Sequence, residues 1–314
     1  MIDRTHWAKM PVVVAILGFL LCLVVSGACK PTDPLDFAYT TGLGPAEWVT
    51  LHYHDMQIIG TLHGRYTVRQ WVPTWHAFAL TDNKYTVYKW TGAADDPVQV
   101  LSLSGENKHH LWSVFNIDPS GSRLAAVDQE GIYLADIASG KMLASVDLRE
   151  IKRQTGRMLQ GGVSIEGVAW SPDGSRVAAS FPDGKRYDNT SGQRLSVTVI
   201  LEVASKKISI LGPGAPVAWI NDKEVLCRED RFKDENYRAV VHSLGGGSRY
   251  SSDWYPDVCW DGTHVLYAET GKLTVAMSDL KTVVSTLSVP KYNPREVFRD
   301  VSSIVGVPPV ADRH

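Results

Sequence analysis

Trp170-Ser171-Pro172-Asp173-Gly174-Ser175-Arg176-Val177-Ala178-Ala179-Ser180 is the stretch on which the fold turns. A strand that ends at Trp170 cannot continue its ladder through Pro172, which has no N–H to donate. Asp173-Gly174 supplies tight-turn geometry, and a second strand runs from Arg176 to Phe181. After a loop, Leu195, Val197, Val199, Leu201 and Val203 alternate with Ser196, Thr198, Ile200 and Glu202, the period of two of a strand. A turn at Ala204-Ser205-Lys206 leads into Ile208-Ser209-Ile210-Leu211. Four antiparallel strands follow one another in a single sheet.

The same order recurs. Ile117-Asp118-Pro119-Ser120-Gly121-Ser122-Arg123 leads to Leu124-Ala125-Ala126-Val127. Weaker copies begin at Trp71 (Trp71-Val72-Pro73), Trp219 (Trp219-Ile220-Asn221-Asp222) and Val258 (Val258-Cys259-Trp260-Asp261-Gly262). The starts Trp71, Ile117, Trp170, Trp219 and Val258 are 46, 53, 49 and 39 residues apart. Four short strands at a period of ~40–50 residues are the signature of propeller blades. Third strands recur too, at Tyr85 to Trp90, Ile132 to Ile137 and Leu273 to Ser278. A short turn of helix around Arg149 to Gln154 is all that competes with strand.

These copies resemble the WD40-like repeats of TolB-type β-propellers, over about Trp71 to Val289. The resemblance implies an all-β propeller and no particular activity. TolB-type proteins carry an α/β domain ahead of the propeller, for which this chain has no room, so a role in the Tol–Pal system is not implied. Trp48 to His63 and Glu296 to Val307 furnish one further blade from the two chain ends, a closure that removes exposed edges. The expected count is six blades, with five and seven as the alternatives.

Arg4 and Lys9 precede an uncharged apolar run from Val12 to Val25, then Ser26-Gly27-Ala28 and Cys29. A basic head, a short apolar middle and a small-residue exit make a secretory signal peptide. A spanning helix would need ~20 apolar residues, which Met10 to Cys29 just supplies, so an uncleaved anchor is the competing reading. Val25-Ser26-Gly27-Ala28-Cys29 resembles the bacterial lipobox, with Ser26 where leucine is usual. The resemblance implies cleavage before Cys29 and acylation of its sulfur; the alternative is ordinary cleavage after Ala28 with a free Cys29. Each buried CH₂ of an acyl chain adds ~0.8 kcal/mol to membrane attachment, so several chains hold firmly. Lys30 is not the aspartate that, by the same resemblance, retains lipoproteins at the inner membrane. The expected site is the bacterial cell envelope, at the outer membrane facing the periplasm in a Gram-negative source. The expected domains are a signal peptide over 1–28, a lipidated tether over 29–45 and a propeller over 46–310.

Composition narrows the partners. With 32 basic against 34 acidic residues, the net charge of -2 offers no long-range field for a polyanion, so no nucleic acid is expected. The 44% hydrophobic and 21% charged content is that of a globular chain, and four cysteines are too few for a disulfide-built scaffold.

In a four-stranded blade, the hairpins between second and third strands share a face with the blade-to-blade connections. Two successive hairpins read as long loops, Pro182 to Arg194 and Arg228 to Asn236, and the connection Arg149 to Gly162 is long as well. Long loops on a rigid scaffold commonly carry recognition. The candidate partner-binding residues there are Arg153, Arg157, Lys185, Arg186, Tyr187, Arg231, Phe232 and Tyr237, cations and aromatics of the kind that anchor interfaces. The alternative is that they are solvated loop residues.

Other features carry less. His52-Tyr53-His54 with His63, and His109-His110, fall short of the three or four ligands zinc asks for, so neither metal nor cofactor is expected. Cys227 and Cys259 read as two buried thiols, with a disulfide as the alternative. Asn189-Thr190-Ser191 matches a glycosylation sequon without meaning in a bacterial lipoprotein. Trp71, Trp170 and Trp219 recur at one blade position, which packing explains better than a ligand. Gly162-Val163-Ser164-Ile165-Glu166 fails the GxSxG elbow at its last position, and no P-loop, GxGxxG, CxxC or sialidase box occurs. The leading expectation is a non-catalytic envelope platform for a protein or glycan. The alternative is a secreted hydrolase using a carboxylate pair in the central channel.

Overall fold

The computed structural model describes residues 36–41, 47–52, 58–63, 66–82, 86–92, 96–102, 114–160, 167–187, 194–231, 236–269, 271–289 and 301–307. The apolar amino-terminal run, Cys29, His54, His109, His110, Phe232 and the sequon lie outside them, as do the side chains of His52 and His63.

Six four-stranded antiparallel sheets form the blades of a β-propeller. Blade 1 takes its innermost strand from the carboxyl end, β24 (Val301–Gly306), followed outward by β1 (Asp36–Thr41), β2 (Glu47–His52) and β3 (Ile58–His63). Blade 2 is β4 (Thr67–Val72), β5 (Ala77–Thr81), β6 (Thr86–Trp90) and β7 (Val98–Ser102). Blade 3 is β8 (Val114–Ile117), β9 (Arg123–Val127), β10 (Gly131–Asp136) and β11 (Met142–Asp147). Blade 4 is β12 (Val168–Trp170), β13 (Arg176–Tyr187), β14 (Arg194–Glu202) and β15 (Ile208–Pro213). Blade 5 is β16 (Ala215–Asn221), β17 (Glu224–Arg231), β18 (Asn236–Ser243) and β19 (Ser248–Tyr250). Blade 6 is β20 (Asp257–Trp260), β21 (Val265–Glu269), β22 (Lys272–Ala276) and β23 (Val283–Ser288). The innermost strands touch in a closed cycle, β24 to β4, β8, β12, β16, β20 and back to β24. The ring therefore closes on a sheet drawn from both chain ends.

Alternation along each second strand explains why the ring holds together. On β9, Leu124 and Ala126 pack against blade 2 while Ala125 and Val127 pack against blade 4. On β21, Leu266 and Ala268 face blade 1, and Val265 and Tyr267 face blade 5. Neighbouring residues of β1 and of β24 divide likewise: Phe37 and Ile304 join blade 6, Ala38 and Val305 join blade 2. Six apolar clusters thus fill six interfaces between blades. A blade alone would leave both faces wet, so its stability depends on its neighbours. The same alternation separates the cysteines. Cys227 faces blade 4 and Cys259 faces blade 1, and both are buried free thiols.

The repeat motif laces the blades together at the end of the ring that carries its turns. Asp118 receives the backbone N–H groups of Ser122 and Arg123 at 3.0 and 2.9 Å, closing the turn. Arg123 pairs with Asp118 at 2.8 Å, donates to the Gly174 carbonyl of the next blade at 3.0 Å, and lies 4.6 Å from the centre of the Trp170 ring. One blade on, Arg176 donates to the Asp222 carbonyl at 2.8 Å and sits 6.0 Å over Trp219. The tryptophans reach backwards: Trp170 Nε1 donates to Asn116 O and Trp219 Nε1 to Ala169 O, each at 3.1 Å. Blade packing accounts for both rings.

Three segments depart from the sequence reading. Residues 36–41, within the stretch assigned to the tether, form β1, because pairing with β2 and β24 lets Phe37 and Ala38 be buried between blades. The segment around Arg149 to Gln154 is a full helix, α1 (Leu148–Thr155). Asp147 caps it by accepting the Glu150 N–H, Gly156 ends it at φ 64°, and Ile151 is its buried anchor. The described parts of the long loops are strand. β13 continues to Tyr187, pairing Tyr187 with Arg194, and β17 continues to Arg231, pairing Arg231 with Asn236. The extension of β13, and the β17–β18 hairpin through Tyr237 of β18, are bonded to blade-to-blade connections, which the sequence does not reveal.

Candidate functional site

Second strands and connections give the ring two unlike ends: a turn end, where first strands run into second strands, and a hairpin end. At the hairpin end, the segment after α1 runs beside the extension of β13. Leu159 bridges Asp183, the Gln160 N–H donates to Pro182 O at 3.0 Å, and the Gly184 N–H donates to Met158 O at 3.0 Å. A Cβ at Gly184 would lie 2.5 Å from that Met158 oxygen, so glycine is what lets the two chains meet. The β17–β18 hairpin is braced in the same way, by reciprocal bonds between Tyr237 and Tyr255 of 2.7 and 2.8 Å.

This geometry sorts the candidate partner-binding residues. Arg153 is exposed on α1 and paired with Glu150 at 2.5 Å, which draws the Glu150 carboxyl down to about 2. Arg157 stands beside the braced hairpin, 3.6 Å from the buried Asp183. Lys185, Arg186 and Tyr187 end β13, and Arg231 ends β17, with side chains outside the described residues. Tyr237 is half-buried beneath the Arg228 guanidinium, 4.6 Å from its ring centre, and packs in the interface between blades 5 and 6. The segment after α1 and the first hairpin are brought together, with Arg157 near Asp183; Arg153 stays on α1 with Glu150, and Tyr237 braces the second hairpin.

Down the axis runs a cavity of about 410 Å³ lined by the innermost strands of the blades. Among the described residues, its hairpin end carries three charged ones that the sequence reading passed over: Arg69, Arg228 and Asp257. Arg69 sits where the pairing of β4 with β5 slips between Val68 and Gln70, a one-residue bulge. Bulges re-aim a side chain out of the regular ladder. Burial, and then the charge of Arg228, pull the Arg69 guanidinium down to about 10. Arg228 donates to Asp257 Oδ1 at 3.0 Å. Asp257 also takes the Val258 N–H on Oδ1 at 2.9 Å and the Ile304 N–H on Oδ2 at 3.0 Å. One carboxylate thereby ties blades 5, 6 and 1 where the ring closes.

Among the described residues, the other channel-lining carboxylates lie at the turn end and are equally engaged. Asp118 holds its own turn and Arg123. Asp261 accepts the Thr263 and His264 N–H groups, both at 2.6 Å, and burial raises its carboxyl above the usual range. Asp257 begins β20 and Asp261 follows its last residue, so the two stand at opposite ends of that strand. Gln70 and Asn116 are bound to the neighbouring backbones, at Ile117 and Trp170. Cys259 lines the channel with its thiol pushed up to about 12 by burial, which keeps it from being a nucleophile at neutral pH. Among the described residues, no three His, Cys, Asp or Glu gather as metal ligands, and no helix is long and apolar enough to cross a membrane.

No family model matches the chain, and no curated protein does. Solved structures do. An oligogalacturonate lyase in complex with manganese is similar at 12% identity over 81% of this chain and 73% of its own, with a TM-score of 0.45. An oligogalacturonate lyase from Vibrio parahaemolyticus is similar at 11% identity over 81% and 73%, with a TM-score of 0.47. The tricorn protease is similar at 11% identity and a TM-score of 0.47, over 80% of this chain and 30% of the protease.

Proposed function

We propose that the protein is a non-catalytic binding module of the bacterial cell envelope, held to the membrane by lipid on Cys29, with the hairpin end of the propeller as its binding face. The observation that carries this reading is the pair of lengthened hairpins on successive blades, each fixed by backbone bonds to a connecting segment. A rigid raised wall over two blades costs little ordering entropy when a partner docks. The engagement of Asp118, Asp257 and Asp261 in holding turns and blades favours binding over the alternative of a channel hydrolase.

The test compares cross-linked membranes from cells making the wild type, Cys29→Ala and two variants with Pro182 to Arg194 or Arg228 to Asn236 shortened. Wild type should sediment with membranes and carry a discrete cross-linked partner, a protein or a glycan. Cys29→Ala should leave the membrane. Either shortened variant should stay membrane-bound and folded yet lose the partner. Unchanged cross-links in both shortened variants, or turnover of oligosaccharides or peptides by the wild type, would overturn the proposal.

A further inference from the structure

The hairpin end can meet a partner only if the membrane does not cover it, and the strand order decides which end an anchor reaches. β1 enters the ring at the turn end. Phe37 pairs with Gly306, and a Cβ on Gly306 would lie 2.8 Å from the Cα of Asp261, the turn-end carboxylate of blade 6. From Asp36 the strand runs away from that end, and Thr41 pairs with Val301 and Glu47 at the hairpin end. Six residues, 30–35, separate Asp36 from Cys29. At ~3.3–3.6 Å per residue, the chain from Cys29 to Asp36 spans at most about 25 Å.

Reaching the hairpin end takes more. Apolar clusters fill the interfaces on both sides of blade 1, so a chain leaving Asp36 has to pass round the outer edge of the blade. β2 and β3 lie outside β1. Crossing them takes about 10 Å at ~4.8 Å per strand, and the six-residue strand itself adds about 20 Å, so the path is about 30 Å before any loop is rounded. The turn end asks for none of this. An uncleaved anchor ending at Cys29 leaves the same six residues.

We propose that the turn end of the propeller lies against the headgroup layer of the bilayer, and that the hairpin end points away from it. The surface laid on the lipid consists of the turns between first and second strands and the hairpins between third and fourth. Lys141, Lys206 and Lys223 are exposed there on successive blades, as donors to headgroup phosphates. This rests on the membrane-anchored reading and adds the orientation that leaves the braced hairpins open to a partner.

The experiment places single cysteines on the anchored protein. Lys141→Cys, Lys206→Cys and Lys223→Cys mark the turn end, Met158→Cys and Ser252→Cys the hairpin end. Gln99→Cys and Thr286→Cys mark the outer strands of the two blades beside blade 1. Cys227 and Cys259 are buried with thiols pushed up to about 12, so a maleimide fluorophore finds the introduced thiol. Each labelled protein is placed in vesicles of phosphatidylethanolamine and phosphatidylglycerol, with and without a lipid bearing a nitroxide on its headgroup. Expected are at least twofold quenching at the three turn-end sites and none at Met158 or Ser252. Inserting about twenty Gly and Ser residues after Pro34 should abolish the difference, because a flexible spacer of that length lets the ring turn over. Stronger quenching at the hairpin-end sites, stronger quenching at Gln99 and Thr286, or equal quenching everywhere would overturn the orientation while the anchor stands. Wild type that stays off the vesicles, as Cys29→Ala should, would remove the anchor and this inference with it.

Discussion

At the turn end of the ring, Arg123 and Arg176 perform one task on successive blades; at the hairpin end, Arg69 and Arg228 stand in places no repeat dictates. Each turn-end arginine reaches the next blade's turn carbonyl and covers the next blade's tryptophan. Each hairpin-end arginine comes from a different strand of a different blade and lines the same cavity. The contrast teaches how to read such a chain. What recurs at the repeat period holds blades together, and what breaks the repeat is where recognition is to be sought.

The comparison is broken most severely by opening the ring itself. Removing residues 301–314 takes away β24, with buried Ile304, Val305 and Val307. At about 1.5–3 kcal/mol for each buried aliphatic side chain, the loss rivals the whole 5–15 kcal/mol stability of a domain. We expect no cooperative thermal transition by calorimetry; a truncated chain melting within a few degrees of the wild type would refute closure by this strand. Trp219→Ala should cost about 3–5 kcal/mol in urea unfolding, since it removes a buried ring and its bond to the blade before it. Arg123→Ala leaves Asp118 buried without its cation and should cost about 3 kcal/mol. The exposed Arg153→Ala should leave the urea midpoint at the wild-type value, so the turn-end and α1 arginines separate in one experiment.

A smaller effect sharpens the comparison through pH. His242 is buried, bonded to Ser248 Oγ at 2.7 Å and Pro213 O at 2.8 Å, and burial lowers its pKa below 6.5. As pH falls below 6.5, the unfolded chain takes up a proton that the folded chain refuses, so stability declines. His242→Gln should lose this share of the melting-temperature drop between pH 7.5 and 5. An identical drop in both proteins would show that other groups cause it. Conversely, the Cys227 thiol, pushed up to about 12 by burial, should resist iodoacetamide at pH 8 until urea unfolds the chain.

Much of the architecture was legible in the sequence because the physical signals are local. Pro172 and Gly174 mark a turn, and alternation from Leu195 to Val203 marks a strand. Closure could be foreseen because five copies and two leftover apolar segments ask for a sixth sheet. What stayed hidden depends on distant partners. β1 forms because β24 pairs with it from the far end of the chain. The extension of β13 and the β17–β18 hairpin, through Tyr237 of β18, are bonded to connecting segments far from them in sequence. Arg69 had no motif around it: a bulge on β4 places it among the residues that line the cavity. Arg157, singled out from loop length, stands beside the first hairpin, whereas Arg153 stays on α1 with Glu150 and Tyr237 faces an interface between blades.

Hydrogen–deuterium exchange on the cross-linked membrane complex asks most directly which end of the ring meets its partner. Slowed exchange over 67–70, 182–187 and 228–231, with the turns at 118–123, 171–176 and 261–264 unchanged, is the expected result. Protection confined to those turns, with the hairpin end exchanging as in the free protein, would contradict it.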